Sequence, residues 1–284
     1  MRKILPLLFT ISCTLSFTFS YKPFELIGKV TSTQGFPIPK TYVQIWDQGE
    51  VIAQTKTDNF GNYVLPLPKI GEFTIMAGNK NKYFHPKKME EYNFHMSTQF
   101  KEDFKLEIDK QVLQEECARL RESYRHMVHN PKNLSYRRSF LSRFPNNGLE
   151  LELFFSNKVK EVNLKKEAKR YINTVFQQGF AGKTTYMILF TKFAQKTDMR
   201  VAEKQTRKFY EEAVYVINQN KEILFKELEN TSPKKVKNMF VWMFSGAAFG
   251  TKKMTTSFDH LEAKYPQVYA IMLDAFDVYL NGES

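Results

Sequence analysis

Between Gly28 and Ala77 the chain alternates apolar and polar residues in short runs, and each run ends at a cluster of turn-formers. No other feature constrains the fold as tightly. Successive side chains of a strand point to opposite faces, so a period of two marks strands that bury one side only. Leu26/Gly28/Val30, Val43/Ile45, Val51/Ala53/Thr55, Tyr63/Leu65/Leu67 and Phe73/Ile75/Ala77 follow that period. Gln34-Gly35 with Pro37 and Pro39, Gln48-Gly49, Asp58-Asn59-Phe60-Gly61 and Lys69-Ile70-Gly71 stand between them. Each supplies a positive or fixed φ where the chain must reverse. Tyr92/Phe94/Met96 and Phe104/Leu106/Ile108 bring the expected number of strands to about seven, which suits an immunoglobulin-like sandwich.

From Asp109 the period changes to that of helices, with apolar residues three and four apart. The change places a domain boundary at 108/109. Gln111–His129 reads as a first helix ended by Asn130-Pro131, and Ser135–Phe144 as a second ended by Pro145-Asn146-Asn147-Gly148. Leu164, Ala168, Tyr171, Ile172, Val175 and Phe176 line a third that ends near Gly179. Tyr186, Leu189, Phe190 and Phe193 line another. Phe209, Tyr210, Ala213, Val216 and Ile217 mark a long helix running on toward Leu228, and Ser232-Pro233 opens the next. A last helix after Tyr265-Pro266 is expected to bury Tyr269, Met272, Leu273, Phe276 and Leu280. So long an aromatic-rich segment can bury a full core.

The first region resembles the carboxypeptidase regulatory-like domain with its transthyretin-like sandwich. Gly28-x-Val30, Gly35 followed by Ile38-Pro39, Val43, Thr57-Asp58-x-x-Gly61-x-Tyr63 and Gly71-x-Phe73 carry the likeness. The Thr57–Tyr63 element is the most specific, because Asp58 and Gly61 close a tight turn and Tyr63 drops at once into the core. Thr41-Tyr42 departs from the family's small residue, at a position expected to face outward. The resemblance covers about a third of the chain and implies an accessory module without catalytic residues, found beside catalytic domains and at the start of outer-membrane transporters. The helical part is similar to a region of unknown function in small exported bacterial proteins, through Phe140-x-x-x-Phe144-Pro145, Val241-Trp242-Met243-Phe244 and Lys264-Tyr265-Pro266. Gly246-Ala247-Ala248-Phe249 replaces that family's aspartate-glycine-proline-histidine run, and no activity comes with the likeness.

Arg2-Lys3, the apolar run from Ile4 to Phe19 and the small residues Thr18 and Ser20 read as a signal peptide over residues 1–20. No later stretch reaches the ~18 apolar residues of a membrane span. The expected destination is the periplasm or the outer membrane. Cys13 offers a second reading, acylation at a lipoprotein site, although Thr10-Ile11-Ser12 matches the usual approach to such a cysteine poorly. After cleavage Cys117 alone remains, so no internal disulfide can form. It lies on an apolar stripe with Val112, Leu113, Leu120 and Tyr124, where a thiol behaves as a small hydrophobe.

Of the net charge of +12, residues Asp109–Ser284 carry +9, with 29 basic and 20 acidic residues, against 11 and 10 in Tyr21–Ile108. A basic second half suggests an envelope protein or an anionic glycan as partner; nucleic acid does not fit an exported chain. The competing reading is a solvated lysine-rich helix surface.

Motifs for chemistry are sparse. Ala181-Gly182-Lys183-Thr184-Thr185 has Gln177 where a phosphate loop needs glycine. His126 and His129 share a helical face but lack H-E-x-x-H spacing, and histidine suits a helix's last turn. His85, His95 and His260 are scattered. Phe244-Ser245-Gly246-Ala247 lacks the first glycine of a nucleophile elbow. Acidic pairs at Glu150/Glu152 and Asp274/Asp277 read as solvated surface rather than a hydrolytic pair. Phe240, Trp242, Phe244 and Phe249 read as core, with a ligand groove or a partner surface as the alternative.

The expectation is therefore α+β in two domains: a signal peptide over 1–20, a seven-strand immunoglobulin- or transthyretin-like β-sandwich of carboxypeptidase regulatory-like type over 21–108, and an all-α helical domain over 109–284. The expected role is non-catalytic binding or scaffolding in the bacterial cell envelope, with no catalytic, metal or cofactor residue assigned. The alternative is an accessory part of a hydrolase or a divergent carboxypeptidase-like enzyme.

Overall fold

The computed structural model describes residues 24–78, 82–95, 99–159, 164–181, 193–194, 196–197, 203–246 and 255–281. The protein is α+β, with its strands before residue 107 and its helices after 109. The signal-peptide segment with Cys13, the Gly182–Thr185 part of the glycine-lysine motif, Tyr186, Leu189, Phe190, Met96 and Phe249 lie outside the described residues.

The strands are β1 (Glu25–Ser32), β2 (Tyr42–Asp47), β3 (Glu50–Lys56), β4 (Asn62–Pro66), β5 (Gly71–Gly78), β6 (Lys87–Phe94), β7 (Gln99–Lys101) and β8 (Phe104–Leu106). One sheet runs β4-β1-β7 with β8 also on β1, and the other runs β3-β2-β5-β6. β1 is antiparallel to β4 and parallel to β7 and β8. Inward residues of both sheets, among them Leu26, Val30, Val43, Ile45, Leu65 and Ile75, are buried in one apolar cluster. Phe94 of β6 meets Phe100 of β7 edge to face, linking the sheets.

Among the described residues eight strands stand where about seven were expected, because the last edge is broken. β7 pairs with Glu25–Ile27 and β8 with Val30–Ser32. Between them Glu102 N donates to Ile27 O (2.9 Å), and Asp103 Oδ1 accepts from Lys29 N (2.8 Å). At this crossing a Cβ on Gly28 would lie 1.7 Å from Glu102 O. Only glycine fits.

Tyr63 closes the same corner, its hydroxyl donating to Glu102 O at 2.7 Å. The turn before it is built as its residues demand: Asp58 Oδ1 accepts from Phe60 N and Asn62 N, both at 2.8 Å, and Gly61 sits at φ +80°. Thr41 departs from expectation. It is fully buried, its N–H donating to Thr57 Oγ1 (2.9 Å) and its own hydroxyl to Ile38 O (3.1 Å). β3 is an edge strand, with Val51 exposed.

The helices that position the site are α1 (Lys110–His129), α2 (Leu134–Arg143) and α3 (Gly148–Phe155); α4 spans Ala168–Ala181. Side-chain caps begin the first three: Asp109 accepts from Val112 N, Asn133 from Ser135 N and Asn147 from Glu150 N. α3 was not expected, because Gly-Leu-Glu-Leu-Glu-Leu-Phe-Phe alternates like a strand and is buried on nearly every side. The long helix expected through Leu228 divides at Asn220 into α5 (Lys204–Gln219) and α6 (Lys221–Leu228). Asn220 takes a non-helical conformation, its N–H donating to Ile217 O and its side chain to Val216 O. α7 (Pro233–Ser245) opens after Ser232 as read, and α8 (Pro266–Asn281) buries Tyr269, Met272 and Phe276. Leu273 and Leu280, expected in the core, are exposed at 39% and 60%.

Strand and helix regions meet without a spacer. Asp109 N donates to Tyr83 O and His85 N to Glu107 O. Tyr83 packs edge to face on Phe154 of α3, and the Lys158 ammonium lies 4.5 Å from the centre of the Phe36 ring.

Candidate functional site: a polar cleft at the junction

A cleft of about 620 Å³ opens where the β5–β6 connection meets the first three helices. Lys82 and Tyr83 line it from the strand side, Glu116 from α1, Ser139, Ser142, Arg143 and Phe144 from α2 and its end, and Asn146 and Glu150 from the start of α3. The volume lies within the roughly 300–1,000 Å³ of small-molecule sites. Its lining is mainly polar.

Local sequence explains each contribution. Ser139, Ser142 and Arg143 are three and four apart, so one face of α2 carries all three. Pro145 stops α2, and Asn147 restarts the chain as α3 three residues before Glu150. Glu150 reaches back, its Oε2 accepting from Asn146 N (2.9 Å) and Asn146 Nδ2 (2.7 Å). This variant of a capping box aims its carboxyl toward the cleft. Lys196 Nζ donates to Asn146 Oδ1 (2.7 Å).

Two carboxylates line the cleft, and their surroundings shift them in opposite directions. Burial pushes Glu150 above the ordinary glutamate range, opposed by the Asn146 amide, the Asn147 side chain and the charges of Lys196 and Lys82. For Glu116 burial acts upward too, but Lys82 (2.6 Å) and Arg119 (2.8 Å) outweigh it and hold the carboxyl below that range. Glu116 is thus an ion-paired wall, and Glu150 a carboxyl that burial holds above its ordinary range. Arg143, in the last turn of α2, is exposed and makes no hydrogen bond or ion pair among the described residues.

The acidic pair read as solvated surface divides, with Glu150 half-buried in the cleft wall and Glu152 buried in the core. Two positions apart on α3, Glu150 and Glu152 take different faces. Glu152 is 4% exposed, and its Oε1 accepts from Gln205 N (2.8 Å), Thr206 N (2.9 Å) and Thr206 Oγ1 (3.2 Å). It caps α5 from a distant helix, where Glu203 at the N-cap position makes no side-chain cap bond. Burial raises its pKa, against the pull of the Thr206 and Gln205 donors. Asp274 and Asp277 are exposed, and Asp274 pairs with Lys237 at 2.7 Å.

The remaining sequence candidates disperse. His126 stacks on Tyr136 and lies 3.6 Å from Glu122; His129 Nδ1 is 2.8 Å from Arg125 O; both are exposed and neither lines the cleft. His85 lies 3.8 Å from Asp109, and His95 and His260 are exposed elsewhere. Among the described residues no three His, Cys, Asp or Glu side chains cluster to hold a metal, and no helix is long and apolar enough to cross a membrane. Cys117 is buried as expected, and desolvation pushes its thiol up to about 12. Ser245 donates to Trp242 O, while Phe240, Trp242 and Phe244 are core.

The chain matches no protein-family model and no curated protein. Arg143, Ser139, Lys82, Glu116 and Asn146 were not singled out from sequence. The legible signals were the serine-arginine spacing on α2 and the Asn147-x-x-Glu150 cap.

Proposed function

We propose that this protein is an exported binding or scaffolding protein of the cell envelope that holds a polar, anionic partner in the junction cleft. One observation carries the reading: a polar cleft of about 620 Å³ that presents an unengaged arginine among hydroxyl and amide groups. The basic balance of residues 109–284 supports an anionic glycan or an acidic surface of an envelope protein as that partner. In this reading residues 1–20 are a signal peptide, 21–108 a carboxypeptidase regulatory-like sandwich of transthyretin-like type, and 109–284 an all-α domain. Gly28, Asp58, Gly61 and Tyr63, which carry the resemblance, support the assignment through the close-packed corner they form.

The decisive experiment is a cross-linked pull-down from native envelopes, comparing the wild type with Arg143→Glu. Partner recovery that survives Arg143→Glu would remove the cleft from the reading. Intact-mass measurement checks the compartment: the mature chain is expected to start near Tyr21, and a diacylglyceryl mass on Cys13 would make it a lipoprotein.

Glu150 favours one second reading, a divergent hydrolase. A carboxyl that lines a cleft and whose pKa burial raises is the type of group that serves as a general acid. Turnover of glycoside or peptide substrates abolished by Glu150→Gln would establish it.

A further inference from the structure

Arg143 stands apart from the other charges of the cleft. Lys82 is paired with Glu116, Glu116 is shared with Arg119, and Glu150 accepts two bonds from Asn146. The Arg143 guanidinium, with five donors in a planar fork, is left without a protein acceptor among the described residues. That fork matches a carboxylate in a bidentate pair. The Ser139 hydroxyl, one turn earlier, also makes no hydrogen bond among the described residues. Ser142 donates to Ser139 O (2.9 Å), which leaves its oxygen free to accept.

The lining charges balance, Lys82 and Arg143 against Glu116 and Glu150. A dianion such as a phosphate monoester would meet one free cation and two carboxyls, a poor electrostatic match. A monoanion meets the free arginine at least cost. The serines and Glu150 call for groups that donate and accept hydrogen bonds together, as alcohols do.

We infer that the cleft takes a hydroxylated monocarboxylate, the chemistry of a uronic-acid residue, with Arg143 pairing its carboxylate and Ser139, Ser142 and Glu150 meeting its hydroxyls. This rests on the cleft being the protein's binding site.

The test is calorimetric titration of the full chain with D-glucuronate, D-glucose and glucose 6-phosphate. Glucuronate binds saturably, and the other two bind roughly tenfold more weakly or worse. Arg143→Ala lowers glucuronate affinity by about tenfold or more, Arg143→Lys by less, and Ser139→Ala by a few-fold, with circular dichroism unchanged in all three. Equal binding of glucuronate and glucose, tighter binding of the phosphate, or full affinity in Arg143→Ala overturns the inference. Tighter binding of a glucuronate oligomer than of the monomer identifies an acidic glycan as the source, and equal binding the free sugar acid. If glucuronate fails while a photo-reactive residue placed at Ser139 still captures envelope material that Arg143→Ala loses, the ligand class falls alone. Failure of both arms removes the binding reading as well.

Discussion

The strand and helix regions solve the same problem, the pairing of polar groups, by different means. In the strand region much of the solution is local: Asp58 serves amides two and four residues on, and Ser32 Oγ accepts from Gln34 N and Phe36 N. In the helical region it is remote. Glu152 caps a helix more than fifty residues away, Thr197 Oγ1 accepts from Gly148 N, and the Tyr210 hydroxyl donates to Met243 O. Local solutions leave motifs in a sequence, whereas remote ones leave only isolated residues whose purpose appears once the helices are assembled. The cleft lies where the two regimes meet.

Substitutions separate the regimes, and the largest effect belongs to the strand region. Gly28→Ala forces a methyl group against the Glu102 carbonyl, which is backbone and cannot turn aside. A loss of more than about 4 kcal/mol is expected in urea denaturation. A loss below about 1 kcal/mol would show that the β7–β8 break yields easily, and the contrast between the regions would weaken.

Next comes the junction. Phe154→Ala removes the ring on which Tyr83 packs and is expected to cost about 3–5 kcal/mol. If the regions depend on this contact, the variant's strand-region and helix-region signals melt apart while those of the wild type coincide. Coincident melting in the variant would show that the coupling runs elsewhere.

A middle-sized effect probes the remote cap. Glu152→Ala leaves the Gln205 and Thr206 amides without their acceptor and is expected to cost about 1–3 kcal/mol. Glu152→Gln keeps an acceptor and costs less. pH sharpens the point at Glu150, whose folded pKa burial raises above the ordinary value of about 4.3. The folded state binds that proton more tightly than the unfolded chain does. Its contribution is therefore full below the unfolded value and is lost as pH rises through the folded one. As pH rises above about 4, Glu150→Gln should lose stability less steeply than the wild type. Equal slopes would mean that Glu150 titrates as an ordinary surface carboxylate.

The smallest effect is expected at His126→Ala, within about 0.5 kcal/mol of the wild type, since the ring is exposed and its acidic neighbour solvated. A larger loss in thermal unfolding would assign the stacking on Tyr136 a structural role.

Strand positions were legible because a period of two leaves little freedom: Leu26, Val30, Val43, Ile45, Leu65 and Phe73 are buried as the pattern requires. α1, α2 and α7 were legible from capping residues and prolines. α3 was not, because a helix surrounded by protein has no polar face and its period disappears. The division at Asn220 was hidden for the opposite reason, since both sides keep apolar residues at helical spacing across it.

By itself, then, the sequence determined the order of elements, strands before residue 107 and helices after 109, and the turns whose φ only particular residues accept. Those are properties of neighbours along the chain, where backbone sterics act directly. Which helix faces meet, that Glu150 looks into a cleft while Glu152 caps α5, and that Arg143 remains without a partner among the described residues were decided by the tertiary structure alone. Burial, desolvation and pairing depend on what lies across a few ångströms of space, and residues far apart in the chain supply it.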